Sequence, residues 1–305
     1  MPFSACPNAG HMPQAVYSYP FDVRNGTRMN VLHSLAGAIA TAPLQLEPPV
    51  REALSNPLLS SSLWVMIALM GVALVAFVYM GRDVEDSRVR LMLVATIGIP
   101  AVSISSYFGL ASGLTIGVFD VAGRGDVVTL WGRYLTWTFS TPLILLALGL
   151  LAGSSPTKIG TAIVFDVLMC VTGLAAVFTT RAVWMRWFWF LLSSAFFVVV
   201  LYVLLVEWPQ DAAEQSSDVQ GLFDTLRTLT IVLWVGYPVV WALGSEGLVL
   251  FGSGVTGLAI TSWLYSLLDV GAKFVFAFLL VRFLANEPES TRSGATTGRT
   301  TMADD

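Results

Sequence analysis

Four ionisable residues fall inside long apolar runs of this chain: Arg133, Asp166, Asp269 and Lys273. A charge held at bilayer depth is expensive, and it marks a functional site by default. Lys273 lies in Ser266-Leu-Leu-Asp-Val-Gly-Ala-Lys-Phe-Val-Phe276, near the middle of the last apolar run. It is too deep for its stem to carry the ammonium to either surface. Asp269 stands four residues earlier, on the same helical face. Two readings are open. Asp269 neutralises an ordinary buried lysine, or the desolvated amine attacks an aldehyde and carries it as a Schiff base.

The third run supplies further chemistry. In Trp131-Gly-Arg-Tyr-Leu-Thr-Trp-Thr-Phe-Ser-Thr-Pro142, the residues Arg133, Thr136 and Ser140 are spaced by three and four and share one stripe. Ala147 continues that stripe two turns deeper. Each hydroxyl has a bland alternative, a bond back to its own helix. In the sixth run, Leu233-Trp-Val-Gly-Tyr-Pro-Val-Val-Trp241 sets Trp234, Tyr237 and Trp241 along one face, and Trp137 adds a ring from the third. Such a stripe by itself is better explained by helix packing.

The elements that position these residues follow from composition. The 305 residues are 55% hydrophobic and 12% charged, with a mean hydropathy of +0.73. Soluble domains carry about 25% charged residues, so lipid is the main solvent. Apolar stretches near 57–81, 88–112, 129–152, 157–178, 184–207, 222–244 and 253–284 are each long enough to cross a bilayer. Their continuity points to helices, because a barrel needs short alternating strands. The expected fold is an all-α membrane protein, a seven-helix bundle over residues 56–285. Residues 1–55 form an N-terminal segment and 286–305 a polar, disordered tail.

Punctuation supports these bounds. Asn56-Pro57 reads as an N-cap followed by a first-turn proline. Gly153-Ser-Ser-Pro156 separates the third and fourth spans. Trp208-Pro-Gln-Asp-Ala-Ala-Glu-Gln-Ser-Ser-Asp218 reads as a polar loop, and 114–128 as a longer, glycine-containing one. Arg82, Arg88, Arg90, Lys158, Arg282, Arg292 and Arg299 fall on one side; Arg51, Arg124, Arg181 and Arg186 lie near spans on the other. That bias favours a cytoplasmic C-terminus and an extracellular N-terminus. No basic block suggests nucleic acid, and Cys6 and Cys170 offer neither a disulfide framework nor metal-binding spacing. No secretory signal opens the chain, and Met29 is a candidate alternative start. The acidic, lysine-poor composition suits a high-salt habitat.

Three motifs in the right order, Arg133 to Pro142, Leu233 to Trp241 and Leu268 to Lys273, resemble the microbial rhodopsin family from about residue 57 to 284. The resemblance implies that Lys273 carries all-trans retinal as a protonated Schiff base, with Asp269 as counterion. It implies a retinal pocket of Trp137, Thr141, Met169, Gly173, Ser193, Trp234, Tyr237 and Trp241, with Asp166 near the ring end. Phe190 stands where many relatives have a larger ring. The stripe of Thr136, Ser140 and Ala147 is similar to the halorhodopsin branch, the inward chloride pumps. Proton pumps of the family carry acidic residues at the positions of Thr136 and Ala147, and sensory members usually keep one at 136.

The charge count gives that branch a physical basis. A protonated Lys273 nitrogen and Arg133 are each +1, and Asp269 is −1. The interior is left one negative charge short, and an uncompensated buried charge costs several kcal/mol. A chloride or other halide would supply it, held by Arg133, Thr136 and Ser140. The resemblance further implies an inner exit lined by Arg227 and Thr230, a plasma-membrane location and a homotrimer.

Overall fold

The computed structural model describes residues 46–286. The expectations for Cys6, Met29, most of the N-terminal segment and the tail beyond Asn286 lie outside the described residues.

The first element is a short helix, α1 (Pro48–Ser55), opened by two prolines. Asn56 then caps α2 (Pro57–Gly81), its side chain accepting from the Leu58 and Leu59 amides at 3.0 and 3.1 Å. Asp86 caps α3 (Ser87–Ala111) in the same way. These side chains satisfy amides that a helix start leaves without partners.

The connection at 114–128 is not an irregular loop. Its residues Gly117–Val121 (β1) and Gly125–Thr129 (β2) form an antiparallel hairpin, with Gly117 opposite Thr129 and Val121 opposite Gly125. Gly123 and Gly125 take positive φ values of 81° and 73°, which turns the chain tightly at low steric cost. Val118, Val121, Val127 and Val128 supply the β-branched residues that favour strands.

Helix α4 (Gly132–Leu151) follows, then α5 (Pro156–Phe178), entered through Gly153 at φ 75° and a Ser155 cap. Helix α6 (Val183–Tyr202) runs through a π-helical stretch (Val203–Glu207) into α7 (Trp208–Ala212). The segment expected to be a polar loop from Trp208 onward is therefore half helix. The Trp208 ring is fully buried beside Gly149, where a Cβ would stand 3.0 Å from it. Asp211 accepts from Ser154 at 2.7 Å and pairs with Lys158 at 2.6 Å, which ties α7 to the start of α5. Burial and pairing at this end outweigh the polar composition.

Helix α8 (Ser217–Leu243) is the sixth span. The seventh is composite: α9 (Gly254–Asp269), a π-helical stretch (Val270–Val275) and α10 (Phe276–Asn286). Among the described residues, six helices are each long and apolar enough to cross a membrane; the seventh becomes so only when its pieces are joined. The fold is the seven-helix bundle expected, and the chain is a multi-pass membrane protein.

Among the described residues, two large apolar cores fill the bundle, with a smaller cluster of Tyr134, Ala176, Val177 and Trp241 beside them. One, on the hairpin side, joins Val50 and Ala53 of α1 to Leu63, Met66, Tyr107, Ile116 and Leu258. The other, toward the α7 end, gathers Phe77, Leu148, Trp208, Phe223, Phe276 and Leu280. The ionisable residues lie between them.

Candidate functional site

Asp269 ends α9 and Lys273 sits inside the π-helical stretch, so the widened turn separates the two. Lys273 Nζ stands 2.9 Å from Asp269 Oδ1, and both side chains are almost wholly buried. Two phenols complete the carboxylate. Tyr107 of α3 donates to Oδ2 at 2.7 Å, and Tyr237 of α8 donates to Oδ1 at 2.6 Å. A buried ion pair is tolerable only when further hydrogen bonds satisfy its remaining lone pairs. The tyrosines do this for Asp269.

Arg133, in the first turn of α4, is buried too. It donates to the Tyr107 hydroxyl at 3.3 Å, the Ser262 hydroxyl at 2.6 Å and the Ser262 carbonyl at 3.3 Å. Its Nε has no partner. One turn along, the Thr136 hydroxyl donates to Ser106, which donates to the Gly132 carbonyl at 2.8 Å. Ser140 is fully buried, and its hydroxyl has no partner. No carboxylate of the described residues pairs with Arg133.

Beside this cluster lies a largely apolar cavity of about 100 Å³. Trp137, Trp234, Tyr237 and Trp241 line it with rings, and Thr141, Met169, Gly173 and Ser193 complete the expected set. A Cβ on Gly173 would come within 3.3 Å of the Tyr134 ring, so glycine keeps that wall open. Tyr237 belongs both to the cavity wall and to the Asp269 cluster, so the cavity abuts the Lys273 end. Asp166 is buried behind the wall, with Oδ2 accepting from Thr141 at 2.7 Å and Oδ1 without a partner.

On the hairpin side, Arg186 and Glu246 form a second buried ion pair at 2.5 Å. Arg186 also donates to the Val177 and Thr179 carbonyls. Arg124 donates to the carbonyls of Glu246 and Gly247. Burial pushes the Glu246 carboxyl above its usual range, against the pull of Arg186. Burial, with the like charge of Arg186, holds Arg124 below its own. A smaller cavity between this pair and the centre is lined by Arg133, Ser245, Glu246, Thr261, Ser262 and Tyr265.

Comparison with known proteins decides the affiliation. Residues 57–287 match the family described as bacteriorhodopsin-like protein. The halorhodopsin of Natronomonas pharaonis is 52% identical over 271 residues, covering 83% of this chain and 90% of that one. The halorhodopsin of Halorubrum sodomense is 50% identical, covering 88% of this chain and 95% of that one. The chain belongs to the bacteriorhodopsin-like family, among the halorhodopsins. A solved structure described as halorhodopsin, a light-driven chloride pump, matches with a TM-score of 0.73 and 53% identity, over 78% of this chain and 98% of that chain. A bromide-bound halorhodopsin from Halobacterium salinarum matches with a TM-score of 0.72 and 55% identity, over 77% and 96%. A light-driven proton pump from Leptosphaeria maculans is more distant in sequence, at 31% identity and a TM-score of 0.69.

Within this family frame, the eight residues read from the motifs as a pocket all line one cavity. Lys273, Asp269 and Arg133 fall into one hydrogen-bonded group, linked through Tyr107. Thr136 and Ser140 stay on the Arg133 stripe, but Thr136 binds Ser106 of the neighbouring helix. Arg227 pairs with Asp224 at 3.2 Å, and the buried Thr230 hydroxyl donates to the Leu226 carbonyl. Neither makes a bond to the central group. Arg186, counted among charges near the membrane edge, is buried instead, because Glu246 and two carbonyls satisfy it. Sequence reasoning missed Tyr107, Ser106, Ser262, Tyr265 and Glu246. The run Ser103, Ser105, Ser106, Tyr107 inside an apolar helix was the available signal for the first two.

Proposed function

We propose that this protein is a light-driven pump that moves chloride or another halide inward, with all-trans retinal attached through Lys273. The observation that carries the reading is the charge balance: two cationic groups, Lys273 and Arg133, share one carboxylate, Asp269. Thr136 stands where an aspartate would restore neutrality, and the buried Ser140 hydroxyl one turn further has no partner.

The residues present fit the chromophore. The amine is buried beside its counterion, next to an aromatic cavity with one wall kept open by Gly173. When bound, retinal supplies absorption of visible light and a light-driven change of shape at the Lys273 nitrogen.

The chain's own residues do the rest. On the hairpin side, the small cavity beside the Arg186–Glu246 pair reaches Arg133. Arg133 attracts the halide electrostatically, while the unpartnered Ser140 hydroxyl donates its hydrogen to it and Thr136 does so on turning from Ser106. Asp269, held on both oxygens, keeps the nitrogen charged without cancelling Arg133 as well. Ala147 has no proton to give, so rapid proton return from the inner side is lacking. Arg227 and Thr230 line the release path, where the Arg227–Asp224 pair opens to let the anion pass. The protein works in the plasma membrane, with its hairpin side outward, as a homotrimer.

The test is the dark spectrum of the retinal-reconstituted protein, titrated with chloride against sulfate at constant ionic strength. A chloride-specific shift of the visible band is expected. An identical spectrum in both salts would overturn the reading.

A further inference from the structure

We propose that Ser62 and Ser262 are positioning residues for Arg133: they hold its guanidinium away from Asp269 and so keep its charge available to an anion. The inference rests on the pump reading for its purpose, but its geometry stands independently of it.

The hydrogen count fixes a direction. A guanidinium only donates. Arg133 gives one hydrogen to the Ser262 hydroxyl at 2.6 Å. Ser62 spends its own hydrogen on the Leu59 carbonyl at 2.7 Å. The two serine oxygens are 2.7 Å apart, so the Ser262 hydrogen points to Ser62. Each hydroxyl thus turns a lone pair toward the arginine and its hydrogen away. The chain Arg133, Ser262, Ser62, Leu59 crosses from α4 through α9 to α2, and both serines are fully buried. In a poorly solvated interior such aligned bonds reinforce one another.

Tyr107 is the other half of the device. It accepts from Arg133 and donates to Asp269, so the cation and the carboxylate meet only through a phenol. Ser262 lies seven residues before Asp269, two turns along the same helix face. Released from Ser262, the guanidinium can turn toward Glu246 across the small cavity or toward the Asp269 carboxylate, to which Tyr107 already links it. A direct pair with either would cancel the charge on which anion binding depends. No other charged side chain of the described residues pairs with Arg133 to oppose that collapse.

The experiment compares wild type, Ser262→Ala, Ser62→Ala and Ser262→Thr, each reconstituted with all-trans retinal and titrated with chloride in the dark. The chloride Kd should rise about tenfold in S262A, less in S62A, and stay within about twofold of wild type in S262T, which keeps the hydroxyl. A second readout uses retinal-free membranes: the ¹⁵N side-chain signal assigned to Arg133 by its loss in Arg133→Gln should move in S262A and S62A and return in S262T. Should S262A form no pigment, S62A decides by titration. If the wild type responds to chloride while both alanine variants keep its affinity and its Arg133 signal, the positioning role is wrong. If the wild type does not respond to chloride, the pump reading fails instead, and an unmoved Arg133 signal would then remove the positioning role separately.

Discussion

Asp269 binds three donors at once: the Lys273 amine and the hydroxyls of Tyr107 and Tyr237. That saturation explains why a single carboxylate can sit buried between two cations without serving both. It also sets the outcome of two substitutions. Replacing Lys273 with Ala removes the only nucleophilic amine of this cluster, and the purified protein should stay colourless with added retinal. Thr136→Asp would place a second fixed negative charge on the Arg133 stripe. Its chloride affinity, read from the dark spectrum, should fall by at least about tenfold, since a neutralised site no longer repays the cost of burying an anion. Outward proton movement in illuminated vesicles should appear with it. Much of this cluster was legible in the sequence, because charges in an apolar run stand out. The tyrosines were not, since a phenol inside an apolar helix looks like any other ring until its hydroxyl is seen to point at a carboxylate.

Helices were legible because their signals are local. The caps at Asn56 and Ser155 and the turn glycine Gly153 all act within a few residues of the ends they mark. Contacts between distant elements were not visible. Arg186 and Glu246 are 60 residues apart, and nothing near either names the other. The segment from Trp208 read as loop because its side chains are polar, yet Asp211 finds Ser154 and Lys158 across the bundle. The hairpin was signalled by its valines and glycines but is short beside the spans that flank it. The buried pair yields a prediction at this scale. Glu246→Gln keeps the carbonyl partners of Arg186 but leaves its buried charge uncompensated, and should cost about 3–5 kcal/mol of stability. Arg186→Met combined with Glu246→Leu removes both charges and should cost less. Thermal denaturation of the two variants beside the wild type would check the order.

At the scale of the whole molecule, the bundle divides into a hairpin side that holds the Arg186–Glu246 pair, a centre that holds Lys273 and Asp269, and an opposite side filled by Phe77, Leu148, Phe223 and Leu280. An anion moving inward must cross that apolar half, where α8 offers the buried Thr230 hydroxyl and the Arg227–Asp224 pair. Vesicles oriented as in the cell should therefore take up chloride in light and, with a protonophore, take up protons passively in its wake. Replacing chloride with sulfate should abolish both signals. The π-helical stretch at Val270–Val275 marks the boundary between the halves within the seventh span. A turn of this kind holds about one residue more than an α-helical turn. Removing one residue there would let ordinary backbone bonding resume, and the helix would survive. Everything after it would keep its facing, because the wide turn spends its extra residue on the same full rotation. Phe276, Leu280 and Leu284 would stay turned to the interior. Among the possible one-residue deletions in this span, those inside the wide turn would thus be absorbed, whereas one taken from the ordinary helix on either side would turn the residues beyond it by about 100° and present the wrong face to the inner half.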